Sequence, residues 1–149
     1  MTIESLPFEI AETAHAIRRA FDRRAAHLGV TRAQWRVLAW LSRQPGLRQV
    51  ELADHLDVEP ITLCRIIDRL QEAELVERRR DPEDRRAWRL HLTDKAGPLV
   101  DQLRALAGVM AQEAFEGVSP QLVETVRAAL AQVRDNLSTA PVSPKRMSA

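Results

Sequence analysis

Three polar side chains share one face of a predicted helix near the middle of the chain. In the segment VEPITLCRIIDRL, Thr62, Arg65 and Arg69 fall at positions i, i+3 and i+7, so a hydroxyl and two guanidinium groups project together. A guanidinium forms forked hydrogen bonds to phosphate and to guanine, a geometry that a lysine ammonium does not offer. The face is therefore free to contact an anionic or base-bearing partner.

The opposite face of this helix is apolar. Its hydrophobic positions follow the i, i+3, i+4, i+7 spacing of a buried helical stripe: Leu63, Ile66, Ile67 and Leu70. Pro60 suits the first helical turn, because its missing N–H costs nothing there and its fixed φ is already helical. We therefore expect a helix that begins at Pro60, with one buried and one exposed face.

The segments on either side of this helix predict a winged helix. Upstream, QVELADHL (residues 49–56) has the apolar spacing of a short helix, and residues 57–59 form a turn, which is the helix-turn-helix arrangement. Downstream, LVERRR (75–80) and AWRLHL (87–92) predict two strands, joined by the turn-forming DPEDRR (81–86). Helix, turn, helix and hairpin together make a winged helix.

Positive charge is concentrated in this hairpin. The 149-residue chain has a formal net charge of only +1, and all of its 22 basic residues except Lys95 and Lys145 are arginine. Six arginines and three acidic residues lie between Arg78 and Arg89. The wing is therefore basic in a nearly neutral chain, and it is the position of the charge that indicates a nucleic-acid partner.

Composition excludes several classes of site. A single cysteine excludes an internal disulfide and a cysteine-based zinc site, and the four histidines are too scattered to predict a metal or any other cofactor. The sequence shows no Ser/His/Asp set and no phosphate-binding loop, so we do not expect an enzyme. No apolar run of about eighteen residues and no leader pattern occur, which predicts a cytoplasmic protein without a membrane span.

The run ELADHLDVEPITLCRIIDRLQEAELVERRRDPEDRRAWRLHLTDKA resembles the DNA-binding core of the MarR family of bacterial transcriptional regulators. The pieces ELA, T-x-x-R-x-x-D-x-L, LVER, DPEDRR and L-x-L-T-x-K match in order and spacing. The resemblance implies a mainly α fold, a winged helix-turn-helix with a two-stranded wing and N- and C-terminal dimerisation helices.

We expect residues 1–137 to form a single MarR-type domain. Its dimerisation helices are predicted at about 7–28 and 95–137, its winged helix-turn-helix core at about 31–92, and a disordered tail at 138–149, where two prolines and small polar residues occur. The two C-terminal helices carry more apolar surface along one side than a small monomer can bury. Together with the first helix they predict an interlocked homodimer interface, as the resemblance implies.

The resemblance implies that the helix from Pro60 to Glu72 enters the major groove of double-stranded DNA and that the wing reaches the adjacent minor groove. Arg65 is the first candidate for a contact to a base edge, whereas Thr62 and Arg69 suit phosphate or mixed contacts. A solvated helix face is the alternative for both arginines.

In the wing, Arg85 is the candidate for insertion into the minor groove, because a narrow groove concentrates negative potential. Arg86 either contacts DNA or, like Asp84, is structural and pairs within the wing or with Asp68. The other arginines of the hairpin, Arg79 among them, are candidate phosphate contacts or solvated side chains.

Two positions depart from the family pattern. Arg48 stands where relatives often have a serine or threonine that caps the first helix of the motif, and an arginine cannot accept the N–H bonds of a cap. We expect Arg48 to contact phosphate instead. Glu74 stands where a glycine commonly ends the recognition helix, so either the helix ends differently or a small strain is tolerated.

An effector site is the last feature that the resemblance implies. Its candidate residues are His15, Arg18, Phe21, Trp35 and Trp40, which fit an aromatic carboxylate, although core or surface roles suit each of them as well. The predicted function is a homodimeric repressor of a pseudo-palindromic operator, released by a small aromatic or amphipathic effector. The alternative is a ligand-independent DNA-binding regulator or an architectural protein. Cys64 is interpreted as a packing residue, with a redox switch as the alternative.

Overall fold

A computed structural model of the protein describes residues 2–139, which form helices and one small sheet. The chain divides into one unit that ends at Ala111 and a second that begins at Gln112. The helices are α1 (Leu6–Ala25), α2 (Arg32–Arg43), α3 (Gln49–Leu56), α4 (Pro60–Glu72), α5 (Gly97–Ala114) and α6 (Pro120–Thr139). The strands are β1 (Leu47–Arg48), β2 (Val76–Arg80) and β3 (Trp88–Leu92), and short 3₁₀ helices cover Ile3–Ser5, Ala26–Leu28 and Asp94–Ala96. The predicted mainly α winged helix is confirmed.

The hydrophobic core of the first unit lies between the helix-turn-helix and the sheet. Its largest fully buried side chains come from α2, α3, α4 and β3: Leu38, Leu41, Leu52, Leu63, Ile67, Leu70 and Leu90. Burial of each such side chain stabilises the fold by roughly 1.5–3 kcal/mol relative to leaving it exposed. Since the α4 members belong to the predicted apolar stripe, the core fixes which face of α4 remains exposed.

The sheet has one strand more than the two-stranded wing that the sequence predicts. Its order is β1-β3-β2, and both pairings are antiparallel. In the wing, Val76 pairs with Leu92 and Arg80 with Trp88, while Leu47 of β1 pairs with Leu90. A strand of two residues is too short to show alternation, so the sequence carries no signal for β1. β1 directly precedes α3, so its pairing with β3 attaches the start of α3 to the wing.

Glu74 lies two residues after the end of α4 and adopts the left-handed conformation, with a φ of 61°. A glycine commonly occupies this position and adopts this conformation without strain. Contacts from beyond β3 hold Glu74 there: the Thr93 hydroxyl donates to the carbonyl oxygen of Glu74 at 2.5 Å, and Lys95 Nζ lies 3.0 Å from its carboxylate. The Leu75 N–H also donates to the Leu70 carbonyl at 2.9 Å. The strained residue is therefore fixed by its surroundings, as such residues require.

The second unit consists of the end of α5 and α6. Four apolar side chains of α6 lie on one stripe and are exposed in the single chain: Leu122, Val126, Val133 and Leu137. A helix with this pattern buries its stripe against another surface. The helix continues to Thr139, one residue past the predicted start of the tail, and residues 140–149 of that tail lie outside the described residues. Throughout residues 2–139, each helix is too short or too polar to span a membrane.

Candidate nucleic-acid interface

The exposed face of α4 carries the polar residues that the sequence singles out. Glu59, in an extended conformation, occupies the N-cap position without a capping hydrogen bond from its side chain, and Pro60 occupies the first turn. Thr62, Arg65 and Arg69 are exposed, as is Pro60. Because Leu63, Ile67 and Leu70 of the opposite stripe are fully buried and Ile66 packs against the core, the hydroxyl and the two guanidinium groups are presented to solvent together.

A buried carboxylate at the base of the wing holds the sheet together. The side chain of Asp81 is fully buried, and its Oδ2 accepts hydrogen bonds from Arg48 Nε at 2.9 Å and Arg89 Nε at 3.0 Å. Its Oδ1 accepts the backbone N–H of Glu83 at 2.9 Å. That backbone hydrogen bond and the two arginines lower the pKa of the Asp81 carboxyl, so it remains ionised. We call Arg48, Asp81 and Arg89 the wing clamp.

The wing clamp gives Arg48 a structural partner that its sequence position does not reveal. The backbone N–H of Arg48 donates to the Glu51 carboxylate at 3.1 Å, so Glu51 supplies part of the missing helix cap. The side chain turns to Asp81, 33 residues further along the chain. Contact of Arg48 with phosphate stays a prediction. Asp81 itself was not predicted, because only its long-range contacts set it apart from the other acidic residues of the turn.

Arg78 joins the wing to α4. Its Nη2 lies 2.7 Å from Asp68 Oδ1, its Nη1 donates to Gln71 Oε1 at 2.7 Å, and its Nη2 also donates to the Cys64 carbonyl oxygen at 3.3 Å. Its Nε donates to Gln49 Oε1 of α3 at 3.3 Å. Asp68 therefore pairs with Arg78 rather than with Arg86. Through one side chain, β2 contacts both helices of the motif.

The tip of the wing presents exposed arginines. Arg85 is exposed, and its backbone carbonyl accepts a hydrogen bond from Arg80 Nη1 at 3.1 Å. The Arg80 guanidinium also lies 5.0 Å from the ring centroid of Trp88, a cation–π contact. Arg86 is exposed, and its backbone N–H donates to Asp84 Oδ1 at 3.0 Å, so Asp84 has the structural role within the wing. Arg79 is exposed and forms an ion pair with Glu77.

A cavity of about 430 Å³ lies in the first unit among α1, α2 and α5. It brings together three of the predicted effector residues, Arg18, Phe21 and Trp35, and adds Arg43 and Arg104. The rings of Phe21 and Trp35 meet edge to face, with centroids 4.5 Å apart. An apolar cavity with guanidinium groups at its wall suits an amphipathic anion.

The other two predicted effector residues lie elsewhere. Trp40 stacks on His55 with ring centroids 4.2 Å apart, and it lines a smaller cavity of about 200 Å³ that shares Trp35, Ala39 and Arg43 with the larger one. His15 is exposed and lies outside the lining of either cavity. Within residues 2–139, no three His, Cys, Asp or Glu side chains converge as metal ligands would.

Comparison with known proteins places this architecture in a family. The model of the MarR family matches residues 28–87, from the end of the 3₁₀ helix that follows α1 through the turn of the wing. The solved transcriptional regulator PA3341 is 34% identical, with a TM-score of 0.82, and the match covers 91% of this chain and 99% of that one. The chain belongs to the MarR family.

Structures of MarR from E. coli extend the comparison. The wild-type apo form is 27% identical over 89% of this chain and 96% of that one, with a TM-score of 0.73. A mutant MarR complexed with operator DNA is 26% identical over 89% of this chain and 99% of that one, with a TM-score of 0.72. The protein is a MarR-family transcriptional regulator with a winged-helix fold.

Proposed function

We propose that the protein is a homodimeric repressor that binds a pseudo-palindromic operator and is released by a small aromatic or amphipathic acid. The observation that carries this proposal is the exposed face of α4, where Thr62, Arg65 and Arg69 stand opposite the apolar stripe that packs into the core. The operator complex of the E. coli relative supports DNA as the partner. A regulator of this kind acts in the cytoplasm, where bacterial DNA lies, and has no catalytic activity.

In this proposal, α4 lies in the major groove and the wing reaches the minor groove. Arg65 contacts a base edge, Thr62 and Arg69 contact phosphate or base, and Pro60 lies beside them at the start of the helix. Arg85 enters the minor groove, flanked by Arg79 and Arg86, and Arg48 approaches phosphate with the nitrogens that Asp81 leaves free. Arg78 and the wing clamp set the angle between wing and helix, since they connect β2, β1 and β3 to the motif.

The apolar stripe of α6 supports the homodimer. A row of exposed aliphatic side chains on one helix is the surface that a second copy covers in an isologous interface. A two-fold dimer presents two α4 helices to half-sites about one helical turn apart. The predicted domain spans residues 1–137. Its dimerisation helices, at about 7–28 and 95–137, lie at the two ends of a core at 31–92.

The larger cavity supports the effector. Arg18 and Arg43 provide guanidinium groups for a carboxylate, as does Arg104, which also lies 4.0 Å from Asp101 Oδ1, and Phe21 and Trp35 provide aromatic contact. Because α1, α2 and α5 all line this cavity, a ligand there can favour one arrangement of the helices over another. A ligand shifts such an equilibrium only through its differential affinity for the two states. The effector therefore favours a spacing of the two α4 helices that does not match the operator.

One observation favours a ligand-independent regulator instead. The indole N–H of Trp35 donates to Asp22 Oδ1 at 2.7 Å, and its ring packs on Phe21. The aromatic lining is therefore already held by core contacts. In this second candidate the cavity is packing space and the protein binds DNA without release by any acid.

A DNA-binding assay distinguishes the two candidates. Duplexes are selected from a random-sequence pool with the wild-type protein, and gel-shift titrations on the selected duplex are repeated with a panel of phenolic and benzoic acids. We expect one acid to release the selected duplex from the wild-type protein. Ala39→Leu, which fills the larger cavity, should abolish this release while leaving DNA affinity unchanged. Ala105→Leu, on an exposed position of α5, is the matched control. Binding that every acid leaves unchanged would favour the ligand-independent regulator.

A further inference from the structure

Ile61 is an aliphatic side chain at the centre of the DNA-facing surface of α4. It lies in the first turn of the helix and is 64% exposed. Nine residues, or two and a half turns, separate it from the fully buried Leu70, so the two side chains point to opposite sides of the helix. Ile61 therefore points away from the core as directly as any residue of α4.

The fold gives no reason for isoleucine at this position. Within residues 2–139, the apolar cluster takes Leu63, Ile67 and Leu70 from α4, with Ile66 packed against it. A β-branched residue at an exposed helical position loses side-chain freedom and favours the helix less than alanine does. Neither packing nor helix propensity thus accounts for Ile61, and its exposed side chain is available for a partner.

The neighbours of Ile61 indicate what that partner offers. Arg65 lies four residues later on the same face, at the roughly 5–6 Å spacing of i, i+4 side chains. Successive base pairs along DNA are separated by about 3.4 Å. Ile61 therefore faces the groove within one or two base pairs of the base that Arg65 contacts. In the major groove, the apolar group at the edge of a base pair is the 5-methyl group of thymine.

We propose that Ile61 is a specificity-determining residue that contacts the 5-methyl group of a thymine one or two base pairs from the base bound by Arg65. The inference rests on the proposed insertion of α4 into the major groove. It adds an apolar contact to the arginine contacts, so that the half-site is selected for a thymine as well as for the base that the guanidinium binds.

Replacing thymine by uracil tests this contact, because it removes the 5-methyl group and leaves base pairing intact. The duplex selected from a random pool with wild-type protein is synthesised with uracil in place of each thymine in turn. Burial of one methyl group corresponds to about a fourfold change in affinity. We expect wild type to lose about fourfold at one thymine, and Ile61→Ala to bind the thymine and uracil duplexes equally.

Val50→Ala provides the matched control, since Val50 is also an aliphatic residue in the helix-turn-helix and is 66% exposed, but lies on α3. This variant should keep the fourfold preference for thymine. If specific binding persists, three results would each overturn the inference. The selected half-site could lack a thymine near the base bound by Arg65, or the affinity of wild type could be unchanged by every replacement of thymine with uracil. Alternatively, Ile61→Ala could keep the full preference for the thymine duplex over the uracil duplex. A wild type that selects no duplex would overturn the proposed function and, with it, this inference.

Discussion

Arg48 Nε lies 2.9 Å from Oδ2 of Asp81, so the strand that precedes the helix-turn-helix is tied directly to the base of the wing. Arg89 approaches the same oxygen from β3, and its Nη1 donates to the Gly46 carbonyl at 3.1 Å. The wing is therefore attached at its base to the motif that it accompanies. One buried carboxylate connects the base of the wing to the segment that precedes α3, while Arg78 connects the wing to α4.

Asp81→Asn keeps the shape of this side chain but removes its charge. Only one of the two polar atoms of an amide accepts hydrogen bonds, so the two guanidinium groups and the Glu83 N–H cannot all keep their acceptor. Charge-assisted hydrogen bonds are also about twice as strong as neutral ones. We expect a lower melting temperature and weaker binding to the selected duplex, both measured against Glu83→Gln. That control removes one negative charge from the same turn at an exposed position. Equal melting temperatures for the two variants would show that the wing clamp does not stabilise the fold.

The stabilisation by Asp81 should depend on pH in a defined direction. The backbone N–H of Glu83, followed by Arg48 and Arg89, lowers the pKa of the folded carboxyl below its ordinary value of 3.8. The contribution of the charge to stability is therefore complete above pH 3.8 and is lost as the pH falls through the lowered native pKa. Denaturant unfolding should show that the free energy of unfolding of wild type exceeds that of Asp81→Asn by a constant amount around neutral pH. This difference should shrink only under strongly acidic conditions. A difference that disappears near neutrality would contradict this assignment.

Arg85→Ala should weaken binding most where the minor groove is narrow. A guanidinium in a narrow groove gains from the concentrated negative potential of A·T-rich sequence. We expect about a tenfold loss on a duplex with A·T flanks, or ~1.4 kcal/mol, and a smaller loss when the flanks are G·C. Arg79→Ala, which removes an exposed arginine from the strand of the same wing, should weaken both duplexes alike. If Arg85→Ala also affects both equally, Arg85 contacts phosphate only.

Val126→Asp should disrupt the proposed homodimer. Val126 lies on the apolar stripe of α6, and an aspartate there would place an uncompensated charge in the interface. Sedimentation velocity should show dimers for wild type and monomers for the variant at micromolar concentration. Ala128→Asp adds the same charge to an exposed position on the other side of α6 and should remain dimeric. Dimers of Val126→Asp would place the interface elsewhere.

The helix-turn-helix was predictable because its signals are local. α3 and α4 have the bounds that apolar periodicity and Pro60 indicate, residues 49–56 and 60–72. Burial of the stripe on α4 follows directly from that spacing. The strand patterns on either side of the turn-forming DPEDRR predict the wing, whose two strands begin one residue later than the sequence suggests, at Val76 and Trp88.

The connections between elements were not predictable, because they depend on contacts between distant residues. The sequence groups Arg78 with the other arginines of the hairpin, yet its guanidinium bonds Asp68, Gln71 and Gln49. Asp81 is one of three acidic residues in the turn, and only its distance to Arg48 and Arg89 identifies its role. Two residues are also too few for β1 to be recognised by pattern.

We propose that α4 recognises a DNA sequence through Arg65, and a salt titration on two duplexes separates a base contact from a phosphate contact. Wild type and Arg65→Ala are titrated against the selected duplex and a scrambled one at several salt concentrations. A base contact predicts a loss of about 1–3 kcal/mol on the selected duplex only, with an unchanged salt slope. An equal loss on both duplexes, with a slope lower by about one, would make Arg65 a phosphate contact and contradict the claim.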